Sequence, residues 1–286
     1  MGHIRKPEWL KIDFRSENHY SNVGNTLKEH GLHTICSSGR CPNMSECWSR
    51  GTATFMILGD ICTRACRFCN TKSGKPLPVV ESEPRSLAES IQKLQLKHAV
   101  ITSVDRDDLP DLGADHWRRC IEEVRALNPN TTIEVLVPDF QGHEELVDLV
   151  ASARPDVMAH NIETVERLTP EVRRVAKYDT SLQTLARIHT NGLPTKSGMM
   201  LGLGETEDEI FRTLDDLLEV GCEMVTIGQY LQPTSKHYEV KAYIHPDDFK
   251  RYEEVALQKG FKTVVSGPLV RSSYHADMFI HNKKQE

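Results

Sequence analysis

From Thr52 onward, short apolar and β-branched runs alternate with stretches whose apolar residues recur at helical spacing. The β-like runs are Thr54 to Leu58, Ala99 to Val104, Thr132 to Val137, Val157 to Ile162, Gly198 to Leu203 and Met224 to Leu231. Between them, Leu87, Ile91 and Leu94 mark one helical face, and Trp117, Ile121 and Val124 another. Ile210, Phe211, Leu214, Leu217 and Leu218 form a third, opened by the acidic turn Glu205, Glu207, Asp208 and followed by Gly221. Asn191-Gly192 stops the helix that carries Leu182 and Leu185, and a last run, Lys262 to Ser266, follows a helix starting near Pro246. This alternation predicts an α/β fold, a partial (βα)6 TIM-type barrel with one later strand. The first 51 residues are polar, mixed and rich in Asn, Ser and Gly, and read as an N-terminal extension lying on the barrel. Residues 52–240 are then the barrel, and 241–286 a C-terminal helix, strand and tail. In such barrels the chemistry sits where strands end.

The length and composition agree with one soluble barrel. The 286 residues exceed the roughly 250 that a complete barrel needs. With 38% hydrophobic and 27% charged residues and a net charge of −6, a disordered chain and a nucleic-acid-coating surface are both disfavoured. No apolar run approaches the ~20 residues that span a bilayer. The start, Met1-Gly2-His3-Ile4-Arg5-Lys6, shows no apolar leader, and Lys6 stands where a myristoylation signal would need Ser or Thr. The expected address is the reducing cytoplasm, where clustered cysteines bind metals or react rather than form disulfides.

There are eight cysteines, and six of them fall between residues 36 and 69. Cys62-Thr63-Arg64-Ala65-Cys66-Arg67-Phe68-Cys69 follows the first β run, so three thiolates share one loop at the barrel mouth. Zinc would ask for a fourth protein ligand and usually paired Cys-x2-Cys motifs. Cys-x3-Cys-x2-Cys leaves the fourth iron of a 4Fe-4S cube without a protein ligand. The second triplet, Cys36, Cys41 and Cys47, has Cys-x4-Cys-x5-Cys spacing, with Gly39, Pro42 and Asn43 allowing tight turns. Cys120 and Cys222 match neither group and read as small buried residues.

The first loop resembles that of the radical S-adenosylmethionine superfamily. With the second triplet, Trp48 and the segment Arg271-Ser272-Ser273-Tyr274-His275-Ala276, the chain is similar to the lipoyl synthases. Lys6 to Lys11, Thr102 to Leu109, His160 to Thr164 and Gly228 to Pro233 also look like segments of that family. One departure is Ser37-Ser38-Gly39, where many members carry acidic residues. The resemblance implies two 4Fe-4S clusters. One sits on Cys62, Cys66 and Cys69, its open iron chelating S-adenosylmethionine to generate a 5′-deoxyadenosyl radical. The other sits on Cys36, Cys41, Cys47 and a serine, assigned by the resemblance to Ser273; the sequence alone does not choose it over Ser272. The implied reaction inserts sulfur from that auxiliary cluster at C6 and C8 of an octanoyl-lysine. The implied substrates are carrier domains of 2-oxoacid dehydrogenases and the glycine cleavage H protein. Ferredoxin or flavodoxin would supply electrons and an iron–sulfur carrier would rebuild the cluster, with no nucleic acid or membrane involved.

For bound S-adenosylmethionine, Ser103 and Asp105 stand where the superfamily binds the amino end. Asn161 and Glu163 suit the ribose or methionyl group, and Arg173 or Lys196 the carboxylate, the two left unranked. Gly198-Met199-Met200-Leu201-Gly202-Leu203-Gly204-Glu205 resembles the superfamily's Gly-x-Ile-x-Gly-x-x-Glu element, whose glycines are expected to admit the adenine. There is no Gly-x-Ser-x-Gly elbow, no His-Glu-x-x-His helix and no phosphate loop. The rival readings are a methylthiotransferase, a biotin-synthase-like sulfur inserter, or a non-catalytic zinc or iron–sulfur module.

Overall fold

The structure, a computed structural model, describes residues 5–10, 18–49 and 53–274. The 51/52 boundary, the first four residues, Lys11, His275 and Ala276 lie outside the described residues. Among the described residues, seven parallel strands run in chain order: β1 (Thr54–Ile57), β2 (His98–Ser103), β3 (Thr132–Leu136), β4 (Val157–Ala159), β5 (Thr195–Leu201), β6 (Met224–Gln229) and β7 (Thr263–Gly267). Helices Glu83–Lys93, Ala114–Leu127, Glu144–Ser152, Tyr178–Thr190, Glu207–Glu219 and Pro246–Lys259 make the crossovers. The sheet is therefore a six-unit partial barrel with a seventh parallel strand. Among the described residues no helix is long and apolar enough to cross a membrane.

Period-two alternation explains both the core and the cavity. Ala99 and Ile101 of β2, Ile133 and Val135 of β3, and Val225 and Ile227 of β6 are fully buried in the hydrophobic core. The alternate residues Val100, Thr102, Glu134, Leu136, Gly198, Thr226 and Gly228 line a cavity instead. A barrel filled by branched side chains would be solid. Small and polar residues at these positions leave space.

The N-terminal extension departs from the sequence reading by being partly ordered into the sheet. His33–Thr34 pairs antiparallel with β1, and the cysteine segment is wound into the short helices Ile35–Ser38 and Met44–Ser49. Thr34 caps the first by accepting a hydrogen bond from the Ser37 amide. The fourth β run also ends early, at Ala159 rather than Ile162. His160 turns its ring into the interior, and Glu163 adopts φ 66°, so 160–164 leaves the ladder apart from one bridge, Glu163 to Met199. Helix Glu207–Glu219 starts at a Thr206–Glu209 capping box. Glu205 stands outside that helix, accepting hydrogen bonds from the Gly202 and Leu203 amides.

Candidate active site

Loop 62–69 is held at both ends and in the middle. Ile61–Cys62 pairs in parallel with Lys72–Ser73, and the Gly74 amide donates to the Cys62 carbonyl. The Thr63 amide donates to the Asp105 carbonyl, and the Arg67 amide to that of Val172. Two backbone amides, of Arg64 and Asp105, aim at Cys62 Sγ from 3.4 and 3.3 Å. Such donors stabilise negative charge on a cluster sulfur.

Between Cys62 and Cys66, the Arg64 side chain is 5% exposed and spans three carboxylates. It lies 2.8 Å from Asp107, 2.8 Å from Asp139 and 3.5 Å from Asp105. Burial alone would raise Asp139, but the Arg64 guanidinium outweighs it and holds the carboxyl at about 2. Burial of Asp105 prevails over Arg64, with help from the Asp139 charge, so that carboxyl is pushed up. This ion network was not read from the sequence. Its signals were an arginine inside the cysteine motif and the acidic run after β2, but Asp139 comes from a different strand end.

A cavity of about 360 Å³ opens over the strand ends. Cys62, Cys66, Cys69, Cys36 and Cys41 lie on its wall, with Ser272 and Ser273. Cys47, half-buried on Met44–Ser49, is not on that wall. Among the described residues no three of His, Cys, Asp and Glu converge to hold one metal ion. Thiols spread around a cavity suit a cube whose separate irons each take one ligand. Burial, with the Asp105 charge added, pushes Cys62 and Cys66 up to about 12, so the metal-free thiols are neutral. Iron would convert them to thiolates.

The cofactor candidates separate on the same wall. Ser103, Asp105, Asn161, Glu163 and Arg173 all line it. The Ser103 hydroxyl and the Asn161 Oδ1 are buried and have no hydrogen-bond partner among the described residues, a fit to a polar ligand such as S-adenosylmethionine. Asn161 Nδ2 donates to Glu163 at 3.0 Å and to Ser272 Oγ at 2.7 Å. Burial raises the Glu163 carboxyl, which Arg173 partly offsets. Lys196 has to be corrected: it is fully buried with its Nζ 2.7 Å from Glu134, and it does not reach the cavity wall. A buried ammonium needs that carboxylate to offset its desolvation.

The glycine element is corrected in part. Gly198 faces the cavity, but a Cβ on Gly202 would sit 2.3 Å from the Ala242 carbonyl and from Gln229 Nε2, so Gly202 makes room for the chain's own backbone. Ser272 and Ser273 have different partners: Ser272 Oγ accepts from Asn161 Nδ2, whereas Ser273 Oγ accepts from Thr54 Oγ1 at 2.8 Å. Cys120 and Cys222 are buried in the core.

His160 lines the cavity with its ring between the Val137 carbonyl, 2.8 Å away, and the Ser181 hydroxyl, 2.9 Å away. Burial and then the Arg173 charge push it down from 6.5 to about 4. Between those values the unfolded chain binds a proton that the native chain refuses. Native stability therefore falls as pH drops from 6.5 to 4, by roughly 3 kcal/mol, with nothing further from this group below pH 4. Thermal unfolding of His160→Gln against wild type across this range is expected to lose that slope; equal slopes would refute the assignment.

The profile of the Radical SAM superfamily matches residues 56–217. The chain is 58% identical over 283 residues to a lipoyl synthase of Phocaeicola vulgatus, covering 99% of this chain and 100% of that one. A lipoyl synthase of Bacteroides thetaiotaomicron is 59% identical over 97% of this chain and 98% of its own. One from Treponema denticola is 56% identical over 96% and 95%. Among solved structures, a methylornithine synthase superposes with a TM-score of 0.56 at 11% identity, covering 86% of this chain and 81% of its own. Barrel, cysteine loop and superfamily match together define a radical S-adenosylmethionine enzyme fold. Within that superfamily, the chain belongs to the lipoyl synthase family.

Proposed function

We propose that this protein forms lipoyl groups by inserting two sulfur atoms, at C6 and C8 of an octanoyl chain amide-linked to a carrier lysine. The observation that carries the reading is one cavity with cysteines of the barrel loop and of the N-terminal extension on the same wall. Cys62, Cys66 and Cys69 would hold a 4Fe-4S cluster that, with S-adenosylmethionine, would supply the hydrogen-abstracting radical, and Cys36, Cys41, Cys47 and Ser273 would hold a second that would supply the sulfur. C6 and C8 are unactivated, so the acid–base groups of the cavity cannot open those C–H bonds.

The chain's own residues bind and orient. Arg173 neutralises the methionyl carboxylate, Ser103 and Asp105 receive the amino end, and Asn161 and Glu163 take the ribose hydroxyls. Val100, Leu136, Met199, Met200 and Leu231 offer an apolar wall for the alkyl chain and exclude water. In this reading 1–51 and 241–286 serve the auxiliary site and 52–240 the radical site. The substrates are octanoylated carrier domains of 2-oxoacid dehydrogenases or the glycine cleavage H protein. Ferredoxin or flavodoxin supplies electrons, an iron–sulfur carrier restores the consumed cluster, and the setting is the cytoplasm.

The test is anaerobic incubation of reconstituted protein, reductant and S-adenosylmethionine with an octanoyl-lysine peptide, followed by mass spectrometry. The expected product carries two added sulfur atoms. Cleavage of S-adenosylmethionine with no sulfur added to the peptide overturns the assignment.

A further inference from the structure

The chain does not leave the barrel when β7 ends at Gly267. The Val270 amide donates to the Gly267 carbonyl at 3.1 Å, and the tail folds back across the cavity wall. Its path crosses β6 at Gly228, which stands in register with Gly267. A Cβ on Gly228 would lie 2.2 Å from the Val270 carbonyl oxygen, a backbone atom with no rotamer to yield. Glycine is needed here for space, the close approach of one backbone to another.

Further along, the tail is stitched to elements distant in sequence. Asn43, between Cys41 and Cys47 and 4% exposed, donates from Nδ2 to the Leu269 carbonyl at 2.7 Å. Ser273 then meets Thr54 on β1, the strand beside the extension. The tail thus joins the two borders of the open barrel, β7 and β1, and Asn43 fastens its turn to the auxiliary loop.

We propose that Gly228 and Asn43 are positioning residues for the auxiliary site, seating the tail so that the Ser273 hydroxyl stands with Cys36 and Cys41 on the cavity wall. Gly228 leaves the groove in which Val270 lies, and Asn43 sets how far the turn at Leu269 stands from the cysteine loop. This rests on the reading that Ser273 completes the auxiliary site, so the test separates the two.

In the metal-free full-length chain, Gly228→Ala is expected to speed amide hydrogen exchange at Val270 and Tyr274 by about tenfold, with β2 and β3 amides unmoved. Reconstituted chains carrying Cys62→Ala, Cys66→Ala and Cys69→Ala then report on auxiliary iron alone, through its removal by a ferrous chelator. There, Gly228→Ala and Ser273→Ala are each expected to speed stripping about tenfold, and the double variant no more than either, because both act through one contact. A general packing defect would add to Ser273→Ala instead. Should Gly228→Ala fail to fold, Asn43→Asp, which deletes the donor at equal size outside the barrel, takes its place with the same expected results. Unchanged tail exchange overturns the seating. Faster exchange and faster stripping for Ser273→Ala, but wild-type stripping for Gly228→Ala and Asn43→Asp, overturns the positioning role alone. Wild-type stripping for Ser273→Ala overturns the ligand reading, and exchange still decides whether the seating stands.

Discussion

Arg64→Met is expected to abolish iron loading at Cys62, Cys66 and Cys69 and to destabilise the metal-free chain by on the order of 3 kcal/mol. The substitution preserves most of the side-chain volume but leaves Asp105, Asp107 and Asp139 without their common cation. Asp139, 2% exposed, carries most of that cost, whereas Asp107 at 22% is eased by solvent. Repulsion among the three then acts at the base of the cysteine loop, because Asp105 also contacts Cys62 Sγ at 3.4 Å. Arg64→Lys keeps the charge but loses the planar fork that reaches two carboxylates at once, so an intermediate loss is expected. Urea denaturation and iron content after reconstitution measure both effects. A methionine variant with the wild-type midpoint and iron content would show that the network does not hold the loop.

The second large effect is expected at Ser273. A thiolate is a softer and tighter iron ligand than an alkoxide. Ser273→Cys should therefore retain auxiliary iron yet lower complete lipoyl formation by ten- to about a hundredfold, the range that ligand-environment changes produce. Ser273→Ala should hold the iron of that site more loosely and lower lipoyl formation with it. Ser272→Cys is expected to act differently, since Ser272 Oγ is bound by Asn161 Nδ2 at 2.7 Å, among the groups proposed for S-adenosylmethionine. Its deficit should appear as weaker S-adenosylmethionine binding with auxiliary iron kept. Mass spectrometry of the octanoyl peptide, iron analysis and equilibrium binding separate these outcomes. Full two-sulfur product from both Ser273→Cys and Ser273→Ala would exclude it as the ligand.

Much of the site was legible because cluster ligands on one loop are close in sequence. Cys62, Cys66 and Cys69 need only a turn to face one cavity, so spacing carries the chemistry. The strands were legible for the same local reason, with errors at their ends, as at His160, where a buried ring and a left-handed Glu163 overrode an apolar run. The extension was harder to read, since its helices Ile35–Ser38 and Met44–Ser49 are too short to show a period.

Choices between equivalent residues were not legible. Lys196 and Arg173 are both cations near strand ends, and only the pairing of β3 and β5 on either side of the short β4 puts Glu134 within reach of Lys196. Ser272 and Ser273 are adjacent, and their separate partners, Asn161 and Thr54, belong to opposite parts of the barrel.

By itself, then, the sequence determined which chemistry the protein carries and which scaffold bears it, because ligand spacing and hydrophobic period are properties of neighbouring residues. The tertiary structure decided which charges are consumed in holding the site and which remain on its wall. It also decided how a tail more than 200 residues beyond the auxiliary cysteines returns to them. Those outcomes depend on strand order and on close approach at Gly228, where a single added carbon would meet the Val270 carbonyl.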